Sequence, residues 1–321
     1  MRNATFRQLQ VFASVAQHSS FSKAARELHL TQPAVSMQVK QLESSVELPL
    51  FEHVGKRFTL TEAGRAILRY ANAAADLLRD ARETVDALKG VRVGELKLSA
   101  VSTAKYFAPS VLAAFMREQP GISIKFSVGN REEIVADLAA NETDLVIMGR
   151  PPRELPTIAA PIARHPLGII AAPGHNLAKR RRIPLRHLSD QAFLIREQGS
   201  GTRTSMERVF QDRGLSYRST MEVGSNETIK QAVMAGMGIS FISLHTVALE
   251  LATARLIMLD VAGLPIMRDW YVIHREDKRL SPAALAFRAF LLREGARIIE
   301  ATVGLPAVPK RGRQRETLLR G

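Results

Sequence analysis

The pair of helical patterns in residues 20–46 constrains the fold of this chain more strongly than any other feature of its sequence. In HLTQPAVSMQVKQLE, residues 29–43, apolar side chains recur at steps of three and four residues, which predicts an amphipathic helix with one packed face. This stripe contains Val35, Val39, Leu42 and Val46. Thr31 is placed to cap the helix, and Pro33 falls in its first turn. The opposite face, which is nearly free of acid and can approach a polyanion, contains Gln32, Pro33, Ser36, Met37, Lys40 and Gln41.

A second, shorter helix is predicted just upstream, in SSFSKAARELHL, with Ser22 as its cap. Ala24 and Ala25 allow another helix to approach closely, and His29 occupies a tight turn where it tolerates a positive φ better than most residues do. Together with FRQLQVFASVAQ, this forms a three-helix unit that presents its last helix outward. In helix-turn-helix proteins the start of that helix enters the major groove, where Gln and Ser bond base edges. We interpret the face as a DNA-reading surface; the alternative is a solvated face on an ordinary three-helix bundle.

Residues 6–65 closely resemble the winged helix-turn-helix of LysR-type transcriptional regulators, through FSKAARELHLTQPAVSMQVKQLE and LPLFEHVGKRFTLTEAG. The resemblance implies that the first turn of the reading helix meets bases and that Gly55 to Phe58 forms a wing near the minor groove. Positive charge in the wing suits phosphate contacts. The predicted DNA-binding residues are Ser22, Lys23, Thr31, Gln32, Pro33, Ser36, Met37, Lys40, Lys56 and Arg57.

Composition agrees with a DNA-binding globular protein and excludes several other classes. The 321 residues suffice for two or three domains, and the net charge of +14 favours a polyanionic partner, although the charge is spread along the chain. The chain has no cysteine, which excludes disulfides and thiolate chemistry. The eight histidines show no metal-binding spacing. No run is long and apolar enough to span a membrane, and no signal peptide is evident, so we expect a cytoplasmic protein.

A long helix is predicted from a cap at Thr61 to about Lys89, with apolar residues that alternate steps of four and three. These residues are Ile67, Ala71, Ala74, Leu78, Ala81, Val85 and Leu88. Such spacing favours the seam of a dimeric coiled coil, whereas a helix lying on its own domain usually has a wider stripe. A dimer would present two reading helices to an interrupted dyad site in double-stranded DNA.

GVRVG, residues 90–94, has the composition of a hinge, and strand and helix patterns alternate beyond it. ELKLSAVS, ISIKFSV, DLVIMG, AFLIRE, MEVG and GISFIS are strand-like, with helical segments between them, which predicts largely parallel sheets in two α/β lobes. APIARHPLGIIAAP and DWYVIHRE are candidate crossing strands. The predicted fold is a multidomain α/β protein: a winged helix-turn-helix at 1–61, a dimerisation linker helix at 62–89, a two-lobed effector domain at 90–304, which the resemblance implies is periplasmic-binding-protein-like, and a basic disordered tail at 305–321.

Five loops that follow predicted strands are candidates for an effector site, because ligands of open α/β sheets bind beyond the carboxyl ends of the strands. Several of these loops begin helices, whose N–H groups attract anions. Arg203 can hold a phosphate or carboxylate in a fork. The candidate residues are Ser102, Thr103, Lys105, Asn130, Arg131, Arg150, Gly201, Thr202, Arg203, Asn226, Glu227 and Thr228. For any one loop, a turn with a helix cap is an equally good interpretation.

The motifs VSTAKYFAP, GNREEI, MGRPP, REQGSGTR and GSNETIKQAVMAGMG extend the resemblance over about residues 5–295, to the branch of LysR-type proteins that activates Rubisco and other Calvin-cycle operons. The resemblance implies a tetramer built from two dimers, contact with RNA polymerase, and an effector such as ribulose 1,5-bisphosphate, phosphoenolpyruvate or NADPH; we expect no cofactor. No GxGxxG motif follows the predicted strands, which weakens the case for a dinucleotide such as NADPH bound in the usual Rossmann pose. A LysR-type regulator of another metabolic operon is the alternative.

Two other classes fit less of the sequence. Ser102-Thr103-Ala104-Lys105 matches the S-x-x-K motif of acyl-transfer enzymes, but the chain lacks the S-D-N and K-T-G partners, so we do not expect an enzyme. A solute-binding protein would account for the two lobes and leave the first 89 residues unexplained. KRRR at 179–182 is interpreted as a solvated loop.

Overall fold

A computed structural model describes residues 4–54, 57–88 and 94–304, with the backbone alone at 53, 54, 57, 83, 84 and 86–88. Residues 90–93 of the proposed hinge at 90–94 lie outside these described residues, as do Lys56, the Arg57 side chain and the basic tail at 305–321. The chain divides into two units. The first unit contains residues 1–101, 112–162 and 271–293, and the second contains 102–111, 163–270 and the chain from 294 onward.

The N-terminal part of the first unit is a three-helix bundle with a β-hairpin. Its elements are α1 (Phe6–His18), α2 (Phe21–Glu27), α3 (Gln32–Val46), β1 (Phe51–Val54) and β2 (Arg57–Leu60). The predicted stripe is packed, since Val35, Val39 and Leu42 are buried. β1 and β2 pair antiparallel, and Phe51 of this hairpin lies 5.3 Å from Phe12 of α1 between ring centroids. The hairpin is therefore attached to the same core as the reading helix.

Two local features of this bundle follow from its sequence. His29 has a φ of 53°, as its place in the turn suggested. The prediction that Ser22 caps α2 is wrong: Ser20 is the cap, and its hydroxyl accepts from Lys23 N at 3.3 Å, while Ser22 is exposed. Either serine can cap a helix, and the packing of Phe21 among Phe51 and Phe58 fixes the start at residue 21.

The long helix α4 (Glu62–Leu88) begins at the Thr61 cap, whose hydroxyl accepts from Gly64 N at 2.9 Å. Its predicted seam is divided between two environments. Ile67 and Ala71 pack in the core of the three-helix bundle, because the first turns of α4 lie against α1. Leu78, Ala81 and Val85 are exposed, so among the seam residues whose side chains are described, these three are open to a partner.

The rest of the first unit is an α/β lobe, which we call the first lobe. Its elements include β3 (Gly94–Val101), β4 (Ile122–Gly129), α6 (Arg131–Ala139) and β5 (Leu145–Met148), and α5 (Ala108–Glu118) joins it at residue 112. β3 lies between β4 and β5, parallel to both. β5 also pairs antiparallel with residues 271–273 of β11 (Ile266–Arg275). The parallel pairs were predicted, and the antiparallel neighbour is a strand that returns to this unit.

The second unit is built around β6 (Thr157–Ala171), which enters it at residue 163. Its remaining elements are β7 (Ala192–Arg196), α7 (Gly201–Gln211), β8 (Arg218–Val223), α8 (Asn226–Met234), β9 (Ser240–Ser243), α9 (Ala248–Ala252) and β10 (Ile257–Met258). β7 and β8 pair parallel, and β6 pairs antiparallel with β9 and β10. The helix α7 starts at residue 201, six residues before ERVFQDRG, residues 207–214, the segment that the sequence pattern predicts to be helical.

β6 and β11 are the two predicted crossing strands, and each contributes residues to both units. A last helix, α10 (Pro282–Val303), was not predicted. Across residues 4–54, 57–88 and 94–304, no helix combines the length and apolar character needed to cross a membrane.

Candidate DNA interface and effector site

The first turn of α3 projects polar side chains from a rigid core. Thr31 caps the helix, with its hydroxyl accepting from Ala34 N at 3.4 Å, and Pro33 lies in the first turn. Gln32 Nε2 donates to Ser36 Oγ at 3.0 Å, so that one turn of the helix holds an amide and a hydroxyl side by side. Met37 is 53% exposed beside them. This arrangement supplies donors and acceptors for base edges and an apolar contact for a thymine methyl group.

Basic side chains flank this turn. Lys40 on α3 and Lys23 on α2 are both exposed, as phosphate contacts require. The wing prediction is supported by the hairpin of β1 and β2, which meets the bundle through Phe51 and Phe58. The tip of that hairpin, with Lys56 and the side chain of Arg57, falls outside the described residues.

Arg196, which was not among the predicted site residues, is the centre of a buried polar cluster in the second unit. The residue ends β7 and is 3% exposed. Its Nη1 donates to Asn226 Oδ1 at 2.5 Å and its Nη2 donates to Ser102 Oγ at 3.2 Å. Both carboxylate oxygens of Glu197 also accept from it, each at 2.7 Å. Two predicted loops, which carry Ser102 and Asn226, therefore meet at the guanidinium of Arg196, and Arg196 begins a third, the loop with Gly201 and Thr202.

Asn226 is the first residue of α8 and is 1% exposed. Its Oδ1 accepts from Arg196, but its Nδ2 has no hydrogen-bond partner among the described residues. A buried amide donor without a partner is costly, so such a group in a cleft is a candidate for contact with a ligand. Thr202 in the first turn of α7 is also buried, and Thr228 N of α8 donates to the capping hydroxyl of Ser225 at 3.4 Å.

Tyr106 joins a second group of charges in the same unit. Its hydroxyl donates to Glu227 Oε1 at 2.5 Å, and Lys230 Nζ lies 4.9 Å from the centre of its ring. Lys230 pairs with Glu227 at 2.9 Å and with Glu250 at 3.0 Å. Burial, followed by the hydrogen bond to Glu227, raises the pKa of Tyr106 well above its ordinary value, so the phenol remains a donor. Lys105 Nζ lies 5.3 Å from the ring centre.

Arg203 does not present a free fork. Its Nε donates to Glu207 at 2.9 Å and its Nη1 donates to Glu222 at 2.6 Å. Hydrogen bonds to these two carboxylates raise the pKa of Arg203. Arg196, seven residues earlier, is the arginine that lies at the end of β7, whereas Arg203 lies in the first turn of α7.

Of the remaining predicted residues, Thr103 is buried in the second unit, and the others lie in the first unit. Asn130 caps α6, with Oδ1 accepting from Glu133 N at 3.0 Å. Arg131 Nη1 donates to the carbonyl oxygen of Arg150 at 2.5 Å, so it fastens the loop after β5. Across the described ranges, no group of three or more His, Asp or Glu side chains is arranged to hold a metal ion.

One signal in the sequence pointed to Arg196. The apolar run AFLI directly precedes it, and an unbroken apolar run is typical of a strand covered on both faces; Phe193, Leu194 and Ile195 are indeed all buried. The glycines of GSGTR drew the prediction to the loop, and the arginine that precedes them was not among the predicted site residues.

The protein combines a three-helix bundle with a β-hairpin, an exposed polar turn at the start of the last bundle helix, and an α/β part with polar loops at the ends of its strands. Together these features define a ligand-responsive, DNA-binding transcriptional regulator. Residues 6–65 match the model of bacterial regulatory helix-turn-helix proteins of the lysR family, and residues 89–296 match the LysR substrate binding domain. The chain belongs to the LysR family of transcriptional regulators.

Two relatives that are similar over about nine tenths of the chain are both transcriptional regulators. The chain is 49% identical over 296 residues to the RuBisCO operon transcriptional regulator of Allochromatium vinosum, which covers 92% of this chain and 98% of that protein. It is 51% identical over 285 residues to the HTH-type transcriptional regulator CbbR of Rhodospirillum rubrum, covering 89% of this chain and 95% of that protein.

Solved structures agree on the fold. The regulatory domain of Synechocystis CcmR, solved in complex with 2-PG, is 41% identical, with a TM-score of 0.60 over 62% of this chain and 96% of that chain. Full-length CbnR, solved with its target DNA, is 23% identical, with a TM-score of 0.62 over 91% of this chain and all of that chain.

Proposed function

We propose that this LysR-family regulator activates a RuBisCO operon in response to a small anionic metabolite. The observation that carries the proposal is a sequence identity of about one half, over about nine tenths of the chain, to a RuBisCO operon transcriptional regulator and to a CbbR regulator. A regulator of another metabolic operon in the same family is the alternative. Because such a protein acts on the chromosome, we expect it to act in the cytoplasm.

DNA recognition is assigned to the first turn of α3, with phosphate contacts from Lys23 and Lys40. We further propose that the exposed residues of α4, which include Leu77, Leu78 and Val85, pair with the same helix of a second copy. The dimer then carries two reading helices to an interrupted dyad site. Assembly of two dimers into a tetramer and contact with RNA polymerase belong to the same proposal.

The effector is assigned to the cluster around Arg196. Two helix N-termini, those of α7 and α8, begin at its loops, and N–H groups at helix starts favour anions. Asn226 Nδ2 offers a buried donor that lacks a partner in the described part of the chain. Glu197 already balances the charge of Arg196, so a ligand needs hydroxyl or carbonyl acceptors as well as an anionic group. Phosphorylated sugars and sugar acids have this combination.

A thermal-shift and calorimetric screen of the full-length protein tests the effector. The probes are 2-PG, ribulose 1,5-bisphosphate, phosphoenolpyruvate, NADPH and inorganic phosphate, because a ligand that binds the native state raises its stability. We expect one organic phosphate to stabilise the wild type and to lose its effect in Asn226→Ala. Arg203→Gln, the matched control, should retain the effect, because Glu207 and Glu222 already use its donors.

The operon is tested separately, with DNA from upstream of a RuBisCO operon of the source organism against equal lengths of unrelated DNA. Specific binding to the upstream fragment supports the proposal. Equal binding to both fragments would contradict the operon and leave the family assignment intact. Failure of every probe to bind would contradict the effector class alone.

A further inference from the structure

The segment KRRR is exposed, as expected for a solvated loop, but it is held on both sides by buried residues. Lys179, Arg180, Arg181 and Arg182 are all exposed. Leu177 precedes them and Ile183 follows them, and both side chains are buried in the core of the second unit. Ile183 N donates to Asp260 O at 2.7 Å, and Ile183 O accepts from Ala262 N at 2.9 Å. Four adjacent cations are thus displayed from a loop with fixed ends.

The fold brings further cations to the same edge. Arg186 is exposed on the 3-10 turn Leu185–Leu188, directly after the loop. Arg213, also exposed, has its Nη2 beside Gly263, 3.0 Å from where a Cβ would lie. Gly263 follows Val261, the residue that bridges Ile183. We call these six side chains the basic edge: Lys179, Arg180, Arg181, Arg182, Arg186 and Arg213.

Few carboxylates neutralise the basic edge. Asp260 lies 4.0 Å from Arg181, the limit of an ion pair, and this is the one salt bridge recorded for the six residues in the part of the chain that the structure describes. Asp190 and Asp212 are the acidic neighbours in the sequence. Six cations against three carboxylates leave a local excess of positive charge, which attracts a polyanion.

We infer that the basic edge is a second, sequence-independent contact with DNA, made to phosphates that flank the site read by α3. Three features favour this partner. The protein belongs to a DNA-binding family, five of the six cations are arginines, which bond phosphate oxygens in a fork, and the loop holding four of the cations is anchored at both ends, so little entropy is lost on binding. No base contact is required of it.

Salt dependence of DNA binding by the full-length protein tests the inference. The probe is a random-sequence duplex of about 80 base pairs, and the variant is R180Q/R181Q/R182Q. Each phosphate contact that is lost lowers the slope of log K against log salt concentration by about 1, so we expect the slope to fall by about 2 to 3. The matched control is R117Q/K125Q/R164Q, which removes the same charge from exposed positions elsewhere and should leave the slope unchanged.

The absence of cysteine permits a direct second measurement. Arg181→Cys introduces a single thiol, and a photo-crosslinker attached there should attach to the duplex. Leu249→Cys, exposed on α9, is the control and should not. An unchanged slope in the triple variant would overturn the inference, as would an equal fall in the control. Loss of transcription activation with an unchanged slope would assign the edge to a protein partner and would also overturn it. Altered discrimination between operator and random DNA is not expected here, which separates this contact from that of α3.

Discussion

Asp76 and Lys278, which are 202 residues apart in the sequence, form an ion pair of 3.2 Å in which both side chains are 6% exposed. The same ammonium group lies 2.9 Å from Asp144, and Lys97 lies 3.1 Å from Asp76. Asn141 Nδ2 also donates to Asp76 at 2.8 Å. Burial would raise the pKa of Asp76, but Lys278, Lys97 and Arg79 lower it below its ordinary value. This network fastens the middle of α4 to the first lobe.

Lys278→Met should destabilise the first unit by about 1 to 3 kcal/mol, because it removes a buried cation that pairs with both Asp76 and Asp144, while Arg79 remains 2.8 Å from the first and 3.1 Å from the second. Urea unfolding measures the change. Lys125→Met is the control: the Lys125 side chain is 70% exposed, so we expect a loss of less than about 1 kcal/mol. Equal losses for the two variants would mean that burial of the network is energetically unimportant.

Gly64→Ala should destabilise the bundle by about 1 to 3 kcal/mol. A Cβ at this position would lie 2.1 Å from Leu50 O, a backbone atom that cannot rotate away. Gly174→Ala is the matched control, since no atom lies within 4 Å of its Cβ position. Thermal unfolding of the two variants measures the difference, and a stable Gly64→Ala would contradict the close approach of α4 to Leu50.

The second unit should lose stability as the pH falls from about 6.5 toward 4. Burial lowers the pKa of His245 to about 4 and that of His165 well below its ordinary value. In this range the unfolded chain binds protons that the folded chain does not. The free energy of unfolding therefore falls as the pH falls, by roughly 3 kcal/mol for His245 alone. His245→Gln should flatten the dependence in urea unfolding at pH 7.5, 6 and 5. The exposed His187→Gln should not, and identical slopes for both variants would exclude His245 as the cause.

Gln32→Ala and Ser36→Ala should each reduce the ratio of operator affinity to random-DNA affinity, by roughly 1 to 3 kcal/mol for a lost base contact. Lys40→Gln should instead weaken binding to both kinds of DNA and lower the salt slope by about 1. Anisotropy titrations at several salt concentrations separate the two effects. An unchanged ratio in both α3 variants would contradict the assignment of this turn to the major groove.

The sequence predicted the DNA-binding bundle well, because the features that define this bundle depend on residues close together in the sequence. The stripe of Val35, Val39 and Leu42, the Thr31 cap and the turn at His29 all depend on neighbours within one or two helical turns. Where two local solutions were equivalent, as with Ser20 and Ser22, the contact of Phe21 with the distant hairpin decided between them. The residues near Ser22 in the sequence do not include that hairpin, so local sequence could not decide between the two caps.

Predictions that depended on distant contacts were less complete. The regular spacing of α4 does not reveal that Ala71 packs on α1 while Leu78 is exposed. Arg203 and Arg196 look alike as candidate cations, and only the approach of Glu207 and Glu222 to the first, and of Ser102 and Asn226 to the second, separates them.

The helix α4 is attached at two points that lie five residues apart. Ala71 is packed among the bundle helices, and Asp76 is bound to Lys278 of the first lobe. An α-helix turns by about 100° for each residue, so its two attachments are fixed in rotational phase. A single residue inserted between them would swing the reading helix around the axis of α4 by that angle. Seven inserted residues would return it to within about 20° while moving it about 10 Å along the axis. Signalling in this protein is therefore expected to tolerate changes in the length of α4 only in whole pairs of turns.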